Sequence, residues 1–243
     1  MQQVFERDYI IPPSACDFSG QLAYPGAFAV FMDLATEHAE RLGVGLRAMR
    51  AKERFWLTVK TKLVFLARPA ISERVRLLTW PEKPGPLRFD RSYELRRGDA
   101  LLIAGRTEWA VMNTAAGTLA PSADILPAGM VYERGPALEE RYARIPPRFE
   151  GEPFAAYRVR STDIDLGGHM NNAAYPRALF GLLSSEEVAA RDIRSIDLIF
   201  RAPCYEGEEL DVRRREDGGA LDLCMSKGEQ VRLLARLAEA RPV

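Results

Sequence analysis

The chain is poor in the residues that most directly announce chemistry. Its 243 residues include only two histidines, His38 and His169, and three cysteines, Cys16, Cys204 and Cys224. Three widely spaced cysteines supply neither a disulfide framework nor the paired spacing of a zinc site, so all three read as free thiols of a reducing compartment. No metal and no organic cofactor is expected. Charge of one sign is not in excess: 34 basic and 34 acidic residues cancel, and nothing marks the whole chain as an electrostatic partner of nucleic acid. No stretch approaches the roughly 18 uninterrupted apolar residues of a membrane helix. Met1 to Arg7 already carries charge and has no apolar core, which argues against a secretory signal. A soluble cytoplasmic protein without membrane insertion is expected. A hydrophobic content of 47% suffices for one large domain or two packed small ones.

What the chain does contain is a repeat. Asp17-Phe18-Ser19-Gly20-Gln21-Leu22 runs into an apolar stretch, Phe28 to Leu42, and returns as Asp165-Leu166-Gly167-Gly168-His169-Met170 ahead of Tyr175 to Leu183. Aspartate, glycine and a following aliphatic residue match at one offset, 148 (165 minus 17). A second register, Leu63-Val64-Phe65 against Leu198-Ile199-Phe200, follows in the same order at 135 (198 minus 63). Only the second copy has histidine; Gln21 stands at that place in the first. One reactive site in a duplicated scaffold is the expectation, with Asp17 in a degenerate copy.

Patterning fills in each half. Val4 to Ile11 predicts a strand ended by Pro12-Pro13. Phe28, Phe31, Met32, Ala35, Ala39 and Leu42 recur at helical spacing up to a stop at Gly43. Four strands follow over 55–66, 74–80, 87–95 and 100–112. Residues 132–153, rich in Pro, Gly, Glu and Arg, read as a connector holding a short helix over 137–143. The pattern then restarts: Tyr157 to Ser161, a helix from about Asn172 to Ala190, and strands over 193–201, 209–215, 220–225 and 231–238. The predicted halves, 1–131 and 154–243, are each α+β, a helix against an antiparallel sheet.

Two such halves resemble a tandem hotdog, and over nearly the whole length the chain resembles the acyl-acyl-carrier-protein thioesterases. The likeness rests on Asp163-Ile164-Asp165-Leu166-Gly167-Gly168-His169-Met170-Asn171-Asn172 with Tyr175, on the first helix ending Ala35 to Gly43, and on Thr79-Trp80-Pro81 and Trp109. It implies hydrolysis of the thioester between a fatty acyl chain and the phosphopantetheine arm of an acyl carrier protein. With two such halves in one chain a monomer is geometrically sufficient, and a homodimer is the alternative. A thioester carbonyl then needs a polarising donor, for which backbone N–H groups at the start of the second helix are suited. It also needs a positioned water or carboxylate.

By position in that motif, Asp165 is the candidate base, or else a loop aspartate capping the helix or a turn. His169 is the candidate proton shuttle, imidazole being the side chain that exchanges protons near neutrality, or else a residue fixing the helix start. Gly168, Asn171 and Asn172 are candidate ligand contacts, although asparagine at a helix start is an ordinary N-cap. Phe28, Phe31 and Trp56 are candidate walls of the acyl channel that the resemblance gives to the first half, and equally plain core. Cys204 reads as a buried inert thiol rather than a nucleophile, and His38 as a core or channel-wall residue. Arg213-Arg214-Arg215 with Arg191 and Arg194 fit either an acidic carrier protein or a solvated strand edge.

Two positions depart from the family pattern. Gly167 stands where asparagine is expected, and Pro203 stands where a glutamate should precede Cys204. Asp165 acting as sole essential carboxylate needs neither lost residue, whereas Glu206 or Asp163 would have to swing into the vacated space. An acyl-CoA thioesterase and a weakly catalytic acyl-thioester binding protein are the alternatives.

Overall fold

β-branched and aromatic residues concentrate in segments that pair, and helical apolar spacing in segments that lie against them. The computed structural model describes residues 3–127, 129–146 and 149–240. The rest of the predicted halves and connector, Met1, Gln2, Ala128, Pro147, Arg148 and 241–243, lie outside the described residues. The chain divides into two compact units, Met1–Arg141 and Tyr142–Val243.

The first unit contains β1 (Phe5–Ile10), α1 (Tyr24–Arg41), α2 (Leu46–Arg50), β2 (Arg54–Phe65), β3 (Arg74–Pro81), β4 (Phe89–Arg97), β5 (Ala100–Asn113) and β6 (Thr118–Leu119). Its strands are antiparallel in the order β1-β3-β4-β5-β2, with β6 added to β5. Pro25 sits in the first turn of α1, where its missing N–H costs nothing. The buried stripe of that helix includes Ala27, Phe28, Phe31, Leu34, Ala35 and His38. Each large apolar side chain there contributes roughly 1.5–3 kcal/mol by burial. Gly43, at φ +71°, ends the helix as its sequence position predicts.

The second unit contains β7 (Glu152–Arg158), α3 (Ala174–Leu182), α4 (Ser185–Ala189), β8 (Ile193–Phe200), β9 (Glu209–Glu216), β10 (Ala220–Lys227) and β11 (Gln230–Glu239). These strands are antiparallel in the order β8-β11-β10-β9-β7. The units repeat a packing detail. Tyr24 meets Phe65 edge-on at 4.9 Å in the first, and Tyr175 meets Phe200 edge-on at 5.4 Å in the second.

Three expectations need correction. The helix predicted from Asn172 to Ala190 is two helices, because Leu183 turns extended (φ −88°, ψ 142°) and Ser184 caps a new start by accepting from Glu187 N–H at 3.0 Å. Residues 137–143 form no helix. Their polar groups are taken by distant side chains and backbone donors are not free for helical bonds: Ala137 N–H donates to Ser92 Oγ (2.9 Å), Ala143 N–H to Asp197 Oδ1 (2.8 Å), and the Arg141 carbonyl accepts from Lys62 Nζ (3.3 Å). The strand expected from Tyr157 begins at Glu152 and includes Pro153, tolerated because β7 pairs only with β9 among the described residues.

Candidate active site

The motif of the second unit folds as a short hairpin that leads into α3. Ile164 bridges to Met170, Asp165 N–H donates to the His169 carbonyl (3.1 Å), and Gly168 N–H returns to the Asp165 carbonyl (3.0 Å). Closing so tight a turn requires φ +77° at residue 168, a conformation that favours glycine. Gly167 N–H donates to Asp165 Oδ1 at 2.7 Å. Across the turn, Asp165 Oδ1 lies 3.9 Å from His169 Nδ1, with the two side chains 27% and 24% exposed. That separation is beyond a direct hydrogen bond but within the reach of an ion pair, and both groups can meet a ligand.

The hairpin is anchored at both ends. Met170 N–H donates to the Cys204 carbonyl (2.8 Å) and Asn171 N–H to the Asp163 carbonyl (2.7 Å). Asn171 forms a turn just ahead of α3, whose N-cap is Ala173: its side chain accepts from Ala173 N–H and its carbonyl from Ala174 N–H, each at 2.8 Å. Asn172 is half-buried beside it.

Asp163, two residues before Asp165, is a support that the motif alone does not reveal. It is 3% exposed. Its carboxylate accepts from Tyr157 Oη (2.7 Å), Arg160 N–H (2.9 Å) and Arg177 Nη2 (3.5 Å), so it is committed to holding the loop rather than free to swing toward Pro203. Burial, and then the neighbouring Asp163, push the Tyr157 hydroxyl up to about 12. The signal for this role was the second acidic residue on the strand side of the turn.

The first unit contains the same hairpin in another electrostatic state. Cys16 bridges to Leu22, Asp17 N–H donates to the Gln21 carbonyl (2.9 Å), Gly20 N–H donates to the Asp17 carbonyl (3.0 Å), and Gly20 has φ +73°. Here the carboxylate is occupied: Asp17 accepts from Ser19 N–H (2.9 Å), from Ser19 Oγ (2.6 Å) and from Arg68. Burial alone would raise the Asp17 carboxyl, but the Ser19 and Arg68 hydrogen bonds outweigh it and hold the group below the ordinary range. Leu22 N–H reaches the Pro69 carbonyl just as Met170 N–H reaches that of Cys204, each at 2.8 Å. Arg68 is therefore the counterpart of Pro203.

A second asymmetry follows from the helix starts. Tyr24-Pro25 of α1 matches Tyr175-Pro176 of α3 at an offset of 151 (175 minus 24), three more than the turns. The extra three residues are Asn171, Asn172 and Ala173, so the Asn pair is an insertion belonging to the second copy alone.

Around this loop, Pro203 is exposed and its carbonyl accepts from Arg232 Nη1 at 2.6 Å. Glu206 is exposed, and Glu208 is bound to Lys227 (2.9 Å) and Arg232 (3.1 Å). Burial pushes the Cys204 thiol up, despite a hydrogen bond with the Tyr175 hydroxyl, which suits an inert thiol rather than a nucleophile. Among the described residues no cluster of three His, Cys, Asp or Glu side chains is arranged to hold a metal, and no helix is long and apolar enough to cross a membrane.

Phe28, Phe31 and Trp56 lie in the first unit. Phe28 and Phe31 are 3% and 1% exposed on α1, and Phe31 packs on Tyr93 at 5.1 Å. Trp56 meets Phe89 (5.0 Å) and Trp109 (6.2 Å), beside Leu42, Val44 and Met49. His38 is 3% exposed against Phe5. The arginine run of β9 borders a cleft of about 800 Å³, and most of the arginines there are paired with carboxylates, while Arg213 donates to the Gly151 carbonyl (3.3 Å). Arg191 pairs with Glu216 (2.5 Å) and Glu239 (2.8 Å), Arg214 with Glu187 (3.4 Å), and Arg215 with Asp222 (2.8 Å).

Residues 2–124 match the acyl-ACP thioesterase N-terminal domain, and residues 148–234 match the acyl-ACP thioesterase C-terminal domain. The chain belongs to the acyl-ACP thioesterase family. The tandem, double-hotdog α+β fold agrees with solved members of that family: an acyl-ACP thioesterase from Bacteroides thetaiotaomicron (TM-score 0.87, 21% identity, 98% of each chain) and the 12:0-ACP thioesterase from Umbellularia californica (TM-score 0.85, 18% identity, 99% of this chain and 98% of that one). In sequence it is 22% identical over 200 residues to oleoyl-acyl carrier protein thioesterase 1, chloroplastic, of Arabidopsis thaliana, matching 75% of this chain. It spans about half, 55%, of the length of that curated relative.

Proposed function

We propose that this chain is a cytoplasmic thioester hydrolase that releases fatty acid from fatty acyl-acyl-carrier-protein, with Asp165 and His169 as its site. Family membership supports the reaction class. The observation that carries the site is the contrast between the two hairpins: Asp17 is taken by Arg68 and Ser19, whereas Asp165 keeps one backbone donor and faces His169.

In this reading the thioester carbonyl sits at the head of α3, where the helix dipole stabilises developing negative charge. Asp165 orients a water, whose oxygen bonds to the carbonyl carbon and whose proton is taken up at the Asp165–His169 pair. The carbon–sulfur bond then breaks, the acyl group leaves as the acid, and the proton passes from the imidazole to the departing thiolate. Gly168 and Asn171 keep the turn and helix in place, Asn172 flanks the ligand, and Phe28, Phe31 and Trp56 line the acyl channel. Thiol release from a series of acyl-carrier-protein and acyl-CoA thioesters tests this. Activity on the carrier-protein thioesters that vanishes in Asp165→Ala supports it, and a marked preference for CoA would reassign the carrier.

One observation favours a second reading, a thioester-binding protein with little turnover. Position 203 offers no carboxylate, and the neighbouring Glu208 is engaged by Lys227 and Arg232. Tight retention of acyl thioesters without thiol release would select it.

A further inference from the structure

Arg91 sits midway along β4, in register with Pro81 of β3 and Thr107 of β5. Strand alternation puts it on the same face as Phe89 and Tyr93, and Phe31 of α1 packs on that face. The carboxylates nearby belong to the opposite face, and each has its own arginine there: Glu82 and Asp90 with Arg106, and Glu94 with Arg96 and Arg134. Arg91 has none among the described residues. Its Nη1 contacts His38 Nδ1 (3.0 Å) and donates to Thr79 Oγ1 (3.2 Å), neither of them a carboxylate.

Two further donors on the same face lack a partner. Tyr93 is 0% exposed and Thr107 beside it is fully buried, yet the Tyr93 hydroxyl makes no hydrogen bond of proper geometry, although it lies next to the side chains of Thr107 and Trp109. The Trp109 indole N–H is likewise shut off from solvent and unpaired. The Thr107 hydroxyl is already shared with Thr61 at 3.2 Å. A guanidinium without a counter-ion beside two sealed donors is costly unless an acceptor joins them. The walls are aromatic: Phe31, Phe89 and Trp56. Arg91 and Trp109 keep partial accessibility while Ser92, Tyr93 and Ala110 next to them are buried.

We propose that this face of the first unit binds the carboxylate of an alkyl chain, with Arg91 as counter-ion, the Tyr93 hydroxyl and Trp109 indole as additional donors, and the aromatic side chains against the methylenes. A free fatty acid supplies that chemistry, and so does the far carboxylate of a dicarboxylic acyl thioester. The site goes beyond hydrolysis, since ligand binding to it requires no turnover.

The full-length chain would be titrated with decanoic acid and with decanol, following tryptophan emission and heat. Decanoic acid should bind at least tenfold more tightly than the alcohol. Arg91→Met should weaken the acid on the order of 30-fold and leave the alcohol nearly unchanged; Tyr93→Phe should weaken the acid about fivefold. Equal affinity for acid and alcohol, or an unaltered acid affinity in Arg91→Met with a native circular-dichroism melt, overturns the proposal. Should Arg91→Met not fold, Arg91→Lys and Tyr93→Phe carry the test: retained binding in the lysine variant with loss in the phenylalanine variant supports it, and no change in either overturns it.

A separate arm, which alone rests on the hydrolase reading, compares hydrolysis of decanoyl-CoA with that of the mono-CoA thioester of decanedioic acid. A preference for the second that Arg91→Met removes identifies the far carboxylate as the ligand. Equal rates together with tight decanoic acid binding identify the free acid. If neither thioester is cleaved, the titrations still decide the site.

Discussion

Arg68 binds the carboxylate of Asp17 in the first unit, from the position that Pro203 occupies in the second. The duplicated turn therefore exists in two forms, one neutralised by an arginine and one with its aspartate open to a ligand. The first form is structural, and its contribution is predictable. Asp17→Ala or Arg68→Met should cost about 1–3 kcal/mol, the range for hydrogen bonds to a charged group, and should leave hydrolysis by the folded protein intact. Because the folded Asp17 carboxyl is held below its unfolded value of about 3.9, this stabilisation is present above that pH. It disappears as pH falls through the folded value. Thermal melts of wild type and Arg68→Met should differ at pH 7 and converge in strong acid; a constant difference would contradict the assignment.

Asp163 braces the loop that leads into the Asp165 turn. Asp163→Ala removes the acceptor of Tyr157, Arg160 and Arg177. It should destabilise by about 2–3 kcal/mol and lower kcat by displacing Asp165. Tyr157→Phe, which loses one donor, should have a smaller effect on both. Activity unchanged in a destabilised Asp163→Ala protein would remove its positioning role.

Cys204 should be dispensable for chemistry. Its thiol is buried and raised, so alkylation of the native protein should be slow at neutral pH, and Cys204→Ala should retain hydrolysis with about 1 kcal/mol lost in stability. Loss of turnover without loss of folding would point to thiol catalysis instead.

Gly168→Ala places a side chain at φ +77° with nothing within 4 Å of the added carbon. Strain alone should cost about 1–2 kcal/mol. Because the turn sets the spacing of Asp165 and His169, kcat should fall with it, which steady-state kinetics alongside melting would show.

Most of the fold was legible because the signals were local. The stripe Phe28 to Leu42 repeats at helical spacing up to Gly43, and α1 runs Tyr24–Arg41. The repeated Asp-Gly turn was legible too, since its chemistry needs φ > 0 at one glycine. What was hidden depended on distant partners or competing local preferences. The break at Leu183 comes from Ser184 capping α4 within a stretch whose composition still favours helix. The connector forms no helix, because Ser92, Lys62 and Asp197 occupy its polar groups. At the candidate site, the difference between the two aspartates was expected from His169 standing opposite Gln21, but the arginine that occupies Asp17 was not, because Arg68 lies 51 residues further along the chain.

The measurement that tests the central claim most directly is thiol release from fatty acyl-acyl-carrier-protein by wild type, Asp165→Ala and Asp17→Ala, each verified as folded. The account predicts turnover in wild type and in Asp17→Ala, and a loss of at least ~100-fold in Asp165→Ala. Comparable losses in both variants, or undiminished turnover in Asp165→Ala, would contradict a single open site in a duplicated scaffold.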